Sequence, residues 1–498
     1  MTGHPTVPGT VLATADAVAE RGKLRRELGR LDAVCLLVAA MVVMDTVGAV
    51  AKGGAQTITL LAVIGMLFFV PAGLVIAELG AAFPHQGGPY VWARLAFGRY
   101  AGSLVALIYS VDAPVWIGGS LAITVVAVVD GLVVPLDGGW RVLVALGFVA
   151  VVATLAGLPL RWGKRIPLAG AMVQVALLTF FTATVALYAA RHGVRGLAGG
   201  GLAPTWPVFA VAGPVLVYNF LGLELPSAAA EEFHDAGRDV PASILRAGAL
   251  TCALYAVPVL AVILVLPPER RTTLTGFIDA LAQVFTVYGR WSHLVGAAAA
   301  VLFVAALVAN GMTWLMASSR TQAAASMDGA GPAWLGRVSA LTGTPVRATV
   351  SGGLLAAATC LAAFAVAGRD NARYFSAVLA LSIALLALAN LILFPALLRL
   401  RRTHPQTHRP FRVPGGPAGA LAASALAPGW TAMALAATLW PGLGTANPGL
   451  LLPDGFAGER LGFTLTGLVP IAAVLVAADV FTRLGRSSPS PSPTGARG

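Results

Sequence analysis

Four acidic residues of this chain lie inside apolar stretches that are long enough to cross a lipid bilayer: Asp45, Glu78, Asp112 and Glu224. A carboxylate at the centre of a membrane-spanning helix costs about 2.5–3.5 kcal/mol, so such residues are retained mainly where they bind an ion, a substrate or a proton. Glu78 stands near the end of its stretch, and we interpret it as structural. Asp112 stands beside Pro114. It could accept hydrogen bonds at a helical turn that the proline loosens, and a direct contact with substrate fits its position equally well.

Asp45 and Glu224 each stand at an interruption of the apolar pattern. The first interruption is Met44-Asp45-Thr46-Val47-Gly48, and the second runs from Tyr218 through Gly222 to Pro226. Unpaired backbone groups are costly in hydrocarbon, so an unwound segment must line a cavity. Paired interruptions in the two halves of a chain indicate the binding site of a secondary transporter. We expect the substrate-binding residues to be Met44, Asp45, Thr46, Val47, Gly48, Asp112, Tyr218, Asn219, Phe220, Gly222 and Glu224.

Membrane-spanning helices must position these residues, because 57% of the chain is hydrophobic and only 11% is charged. A soluble domain carries about a quarter of charged residues, so the composition predicts an all-α polytopic membrane protein. Each span needs roughly 20 residues. We predict about twelve spans, at residues 31–51, 57–82, 99–130, 140–158, 166–190, 206–233, 241–267, 291–318, 347–367, 373–398, 418–440 and 461–482.

The net charge of +12 reflects membrane topology rather than a nucleic-acid partner. The basic clusters Arg21 to Arg30 and Arg399 to Arg412 flank spans without interleaved aromatic residues. If the N-terminus lies inside, most Lys and Arg residues fall on the inner side, so the positive-inside rule predicts two cytoplasmic termini in the plasma membrane. We expect cytoplasmic tails at 1–30 and 483–498, the second disordered because Ser487 to Pro493 is a Ser-Pro repeat.

Metal, cofactor and enzymatic chemistry are not expected. Cys35, Cys252 and Cys360 lie in apolar stretches without a paired spacing, and the seven His residues show no ligand motif. The stretch from Gly157 to Lys164 lacks the spacing of a phosphate loop. No nucleophile and base stand together, so we expect neither an enzyme nor a cofactor.

Several motifs together resemble the amino acid–polyamine–organocation (APC) superfamily of permeases. They are Met44-Asp45-Thr46-Val47-Gly48-Ala49, Ala77-Glu78-Leu79-Gly80 followed by Pro84, Gly87-Gly88 and Tyr90, Ala230-Glu231-Glu232, Asp239-Val240-Pro241, and Arg409-Pro410-Phe411-Arg412-Val413-Pro414-Gly415-Gly416. The first is most similar to a segment of plant and protozoan polyamine and L-type transporters, with Met44 in place of their Glu. The resemblance implies a LeuT-like inverted repeat, 31–190 against 206–398, with discontinuous helices 1 and 6 and two additional helices in 418–482.

The same resemblance implies roles in gating and coupling. Tyr218 matches the aromatic lid of helix 6, and Trp314 matches an aromatic residue of helix 8, although an ordinary core role fits Trp314 almost as well. Some members carry in helix 5 a lysine that replaces a sodium ion, and the resemblance puts Gln174 there. Glutamine binds no proton near neutral pH, so a coupling proton is expected on Glu224, Asp45 or Asp112.

The sequence thus predicts a secondary transporter that moves amino acids or polyamine-like cations by alternating access, coupled to protons rather than to sodium. Three buried acids favour a cation over glutamate or aspartate. A neutral amino acid exchanger remains the alternative within transport, and a transport-inactive nutrient sensor is the alternative from another class. The substrate itself and the oligomeric state stay open.

Overall fold

The computed structural model describes residues 27–193, 201–272, 274–367, 371–445, 452–456 and 458–485. The regular elements in these ranges are helices. Most of the two predicted tails, at 1–30 and 483–498, lies outside the described residues. We call the end of the bundle that holds Glu27 the Glu27 end.

Eleven helical stretches of the described part are long and apolar enough to cross a membrane, if the two halves of span 1 (Arg30–Ala51) are counted as one. A twelfth span, span 6, consists of shorter pieces. The described helices fall on all twelve predicted segments, and the prediction of an all-α polytopic membrane protein is confirmed. The unbroken helical stretches are span 2 (Ala55–Ala82), span 3 (Arg99–Leu132), span 4 (Gly138–Ala156), span 5 (Arg165–His192), span 7 (Ala236–Val265), span 8 (Ser292–Met327), span 9 (Val346–Ala367), span 10 (Asn371–Thr403), span 11 (Gly416–Leu439) and span 12 (Arg460–Leu484).

Span 1 is discontinuous, as predicted. Its first half, Arg30–Met41, ends at Val42 and Val43, whose backbones leave the helical region. A single 3₁₀ turn, Met44–Thr46, leads into the second half, Val47–Ala51. The unwinding thus begins before Met44, and Val47 and Gly48 lie in the resumed helix rather than in the break. Val42 and Val43 are β-branched residues of low helix propensity, and they stand where the first half of span 1 ends.

Span 6 is discontinuous at the second predicted position. Its first half, Trp206–Asn219, is separated from a short helix, Leu225–Ala228, by residues 220–224. Gly222 has a φ of 101°, a left-handed value that favours glycine. Pro226 stands in the first turn of the short helix, where its missing N–H costs nothing. A 3₁₀ turn, Ala230–Glu232, completes the span at the Glu27 end.

Three features extend beyond the prediction. Span 8 ends at Met327, not at residue 318, so Arg320 lies inside the helix. Two further helices, Gly88–Phe97 and Gly276–Phe285, occupy segments predicted as connections. Span 3 contains a wider π-type turn at Ile117–Leu121, immediately after Pro114 and Trp116. Such turns occur frequently at functional sites.

Candidate substrate site

The two helix breaks lie side by side at the centre of the bundle. The Thr46 hydroxyl lies 3.1 Å from the Asn219 side-chain oxygen and 2.9 Å from the Tyr255 hydroxyl. The Asn219 amide donates to the same Tyr255 hydroxyl at 2.5 Å. All three side chains are buried, so this polar cluster fastens span 1 to span 6 and span 7. The sequence predicted Thr46 and Asn219 but not Tyr255.

Span 3 supplies a partner to each acid at the breaks. The Ser120 hydroxyl, within the π-type turn, donates to Asp45 Oδ2 at 2.8 Å. The Tyr109 hydroxyl donates to Glu224 Oε1. Asp112 lies on the same helix, buried to 1% exposure. Spans 1, 3 and 6 therefore place the three predicted acids along span 3, on which Ser120 and Tyr109 are about 16 Å apart.

Each of the three acids keeps one buried oxygen without a hydrogen-bond partner among the described residues. These oxygens are Asp45 Oδ1, Asp112 Oδ1 and Glu224 Oε2. A buried acceptor without a donor costs about 1–3 kcal/mol, so each of these oxygens is suited to accept from a water, a bound proton or a substrate. Their chemistry suits ammonium or guanidinium donors, or protons, because these stabilise carboxylate oxygens.

Aromatic rings border the acids. The Tyr218 ring packs against Trp116 at 5.2 Å between centroids, and Trp116 in turn contacts Phe375 of span 10 at 6.5 Å. Tyr218 also lies within electrostatic range of both Asp112 and Asp45. The aromatic residues at the site are therefore the predicted lid residue Tyr218 together with Trp116 and Phe375, which the sequence did not predict.

The carbonyl groups freed at the end of the first half of span 1 are capped by side chains. Helix ends leave such carbonyls without an intrahelical partner. Here spans 5 and 8 supply the donors, which include the predicted Gln174 and Trp314 as well as Asn310. The bonds are Gln174 Nε2 to Ala39 O (3.4 Å) and Val42 O (3.3 Å), Asn310 Nδ2 to Ala39 O (2.9 Å) and Ala40 O (3.0 Å), and Trp314 Nε1 to Ala40 O (3.1 Å).

The Trp314 ring also lies against the second break. A methyl group added to Gly222 would lie 3.2 Å from the Trp314 ring and 3.1 Å from Leu225. Span 8 thus contacts both breaks, through the indole N–H on one side and the ring on the other. The remaining predicted residues, Met44 and Phe220, are buried at the two breaks.

A buried ion pair lies at the Glu27 end. Arg320 of span 8 binds Glu232 with two bonds, of 2.5 Å and 3.0 Å, and both side chains are at most 2% exposed. The Gln86 amide donates to the same carboxylate at 2.9 Å. The backbone N–H groups of Glu27 and Leu28 both donate to the Glu232 carbonyl, which ties the start of span 1 to this point.

A second buried carboxylate, Glu78, has the structural role that we inferred. Arg401 binds it with two bonds, of 2.8 Å and 2.5 Å, Arg409 lies 3.5 Å away, and the Val413 N–H donates to it at 2.7 Å. Glu78 therefore joins span 2 to the last turn of span 10 and to the segment that follows it. Within the described ranges, no three His, Cys, Asp or Glu residues group in a way that could hold a metal ion.

Comparison with known proteins identifies the family of this chain. The family model for amino acid permeases matches residues 28–449. A probable agmatine/putrescine antiporter of Lactococcus lactis is 25% identical over 80% of this chain and 84% of its own length. The branched-chain amino acid permease BcaP of Bacillus subtilis is 24% identical over 80% and 86%. Cationic amino acid transporter 1 of Arabidopsis thaliana is 28% identical over 44% and 35%.

A solved structure of the manganese transporter of Eremococcus coleocola superposes with a TM-score of 0.60, covering 92% of this chain and 95% of that one at 13% identity. The fold is therefore the LeuT-like fold of secondary transporters, with discontinuous spans 1 and 6. The chain belongs to the amino acid permease family. It is a multi-pass membrane transporter and not an enzyme.

Proposed function

We propose that this transporter carries an organic cation, either a cationic amino acid or a polyamine, by alternating access through the site between spans 1, 3, 6 and 8. The observation that carries the proposal is the set of three buried carboxyl groups, each with one oxygen lacking a donor. A cation with one or more ammonium or guanidinium groups supplies the missing donors and offsets the buried negative charge.

The surroundings of the acids favour a cation over an anion. The buried Arg320 of span 8 is bound to Glu232 at the Glu27 end and does not neutralise the acids. Ser120 and Tyr109 contribute neutral donors to Asp45 and Glu224. An anionic substrate would meet like charge, whereas a neutral amino acid would require most of the acids to be protonated. Of the relatives named above, the agmatine/putrescine antiporter and the cationic amino acid transporter carry names that agree with a cation, whereas the name of the branched-chain amino acid permease agrees with the neutral alternative.

Proton coupling or exchange suits this site better than sodium coupling. The side-chain N–H groups of Gln174, Asn310 and Trp314 already donate to the carbonyls that end the first half of span 1. A sodium ion needs oxygen ligands, and here both lone pairs of Ala39 O and of Ala40 O already accept hydrogen bonds. A proton can bind to Glu224, Asp45 or Asp112, and an exchanged cation can bind in turn to the same oxygens.

We place the transporter in the plasma membrane with both termini in the cytoplasm, so that the Glu27 end faces inward. The distribution of Lys and Arg supports this orientation through the positive-inside rule. In this orientation the Arg320–Glu232 pair closes the cytoplasmic side, and release of substrate to the cytoplasm requires that pair to separate.

Uptake into proteoliposomes tests the proposal. The purified chain is supplied with labelled agmatine, putrescine, arginine, leucine and glutamate, with and without a pH gradient and with each cation preloaded for exchange. We expect one or more of the three cations to enter and glutamate to be excluded. Uptake of leucine without any cation would establish the neutral exchanger instead, and binding without uptake would indicate a sensor.

A further inference from the structure

A long apolar groove runs along the side of the bundle, behind the substrate site. Its cavity volume is about 1020 Å³, and spans 3, 9, 10 and 12 line it together with Phe456. Span 3 contributes Leu107, Val111 and Val115, which follow one another at helical spacing along one wall. Small-molecule sites are concave and measure about 300–1,000 Å³, so this groove lies at the upper end of that range.

The groove continues further along the same helices. A second cavity of about 160 Å³ is lined by residues of spans 3, 10 and 12 alone, including Leu104, Leu388 and Ile471. Val474 of span 12 lines both cavities, so they adjoin. The combined shape is elongated along the direction of the helices. That shape suits an extended hydrocarbon chain better than a compact substrate.

One end of the groove is charged. Arg373 lies there, near the start of span 10, and its guanidinium lies 4.6 Å from the centre of the Phe456 ring. It also binds Glu459 at 2.5 Å, just before span 12 begins. Positions where spans begin lie at the level of the lipid headgroups. Glu459 already binds this guanidinium through two hydrogen bonds, of 3.3 Å and 2.5 Å, so a phosphate group at that level binds beside Glu459 or takes its place.

We propose that this groove is a binding site for a phospholipid, with an acyl chain along spans 3, 10 and 12 and the phosphate at Arg373. The groove opens on the surface of the bundle that faces the bilayer, where hydrocarbon chains are the surrounding solvent. Because the surrounding bilayer is itself hydrocarbon, the acyl chain is stabilised by close packing in the groove rather than by removal from water, and Arg373 supplies the positive charge at the headgroup end.

The site backs onto the substrate site. Val111 and Val115 face the groove, while the adjoining Asp112 and Trp116 belong to the acidic and aromatic region. On span 10, Tyr374 lines the groove and the next residue, Phe375, contacts Trp116. A lipid bound there contacts the two helices that carry these residues and stabilises their positions.

Photolabelling of the full chain in proteoliposomes tests this inference. The probe is a phosphatidylglycerol with a diazirine in its acyl chain, and labelled peptides are identified by mass spectrometry. We expect labelling of spans 3, 10 and 12 at the groove to exceed, several-fold, the labelling around Val301, a lipid-facing residue of span 8 that is 68% exposed. Equal labelling at the two places would overturn the proposal.

Variants give the test its controls. Ala377→Trp and Ala473→Trp place a bulky ring in the groove and should each lower its labelling several-fold, whereas Val301→Trp should leave it unchanged. Arg373→Gln should lower labelling by the phospholipid but not by a diazirine fatty alcohol, which has no phosphate. Undiminished labelling in both Trp variants, or crosslinks between two copies of the chain at spans 9 and 12, would reject a lipid as the occupant.

Discussion

Arg320 and Glu232 form a two-bond ion pair with both side chains buried, and this pair joins span 8 to the end of span 6. The pair also holds Gln86, and the Glu232 carbonyl holds the start of span 1. Four segments of the bundle therefore meet at one residue, Glu232. An ion pair with this many partners is suited to hold the Glu27 end of the bundle closed.

Removing the negative charge of this ion pair should destabilise the protein strongly. Glu232→Gln leaves the Arg320 guanidinium buried without its counter-charge, a change that costs about 3–5 kcal/mol. Thermal unfolding in detergent measures the loss. The double variant Glu232→Arg with Arg320→Glu restores opposite charges and should recover part of the stability. A single variant as stable as the unmodified protein would show that the pair contributes little.

Gly222 should not tolerate a side chain. Gly222→Ala places a methyl group at a left-handed φ, which costs about 1–2 kcal/mol, and within 3.2 Å of Trp314 and Leu225. We expect lower thermal stability and reduced uptake. Gly429→Ala in span 11 is the matched control, because no atom lies within 4 Å of the added methyl group. Equal tolerance at the two positions would contradict the geometry of the break.

These two cases show what the sequence could predict. The second break was predicted from an acid, a glycine and a proline close together in an apolar run, because each residue has a local effect on the helix. The first break was predicted at Met44, whereas the helix already ends at Val42 and Gly48 lies beyond the break. The number of spans followed from hydropathy, since each must cross the same thickness of hydrocarbon.

The partners of the site residues could not be predicted in the same way. Ser120 and Asp45 are far apart in sequence, as are Tyr109 and Glu224, and no local pattern joins them. One signal was available: Tyr109, Asp112 and Trp116 share a helical spacing around an acid in an apolar run. Arg320 was missed because span 8 was predicted to end before it.

Glu224 should control the pH dependence of transport. Its carboxyl group is buried, is bound by the Tyr109 hydroxyl and lies near Asp112 across that tyrosine. Glu224→Gln keeps the shape of the side chain but cannot exchange a proton, so uptake should vary less with pH. Tyr109→Phe, which removes the donor but keeps the acid, should shift the pH profile without flattening it. An unchanged profile in a well-folded Glu224→Gln variant would reject this role.

Sodium should not be required. Because Gln174, Asn310 and Trp314 already donate to the carbonyls at the end of the first half of span 1, replacement of external sodium by potassium should leave uptake unchanged. Asn310→Ala removes two of these bonds and should lower stability by about 1–3 kcal/mol. Uptake that requires sodium would contradict the inference that these hydrogen bonds keep the carbonyl groups from binding a sodium ion.

The affinity of Asp45→Asn for cations tests the central claim most directly. Asp45 lies at the first break, and its Oδ1 has no donor in the protein. Binding of agmatine, putrescine and arginine to the purified protein is measured by calorimetry, with Asp479→Asn at the surface of span 12 as the matched control. We predict that Asp45→Asn weakens binding of the transported cation by about 1–3 kcal/mol, roughly 5- to 150-fold, while the control does not. Undiminished cation affinity in Asp45→Asn, or glutamate as the tightest ligand of the unmodified protein, would contradict the cationic site.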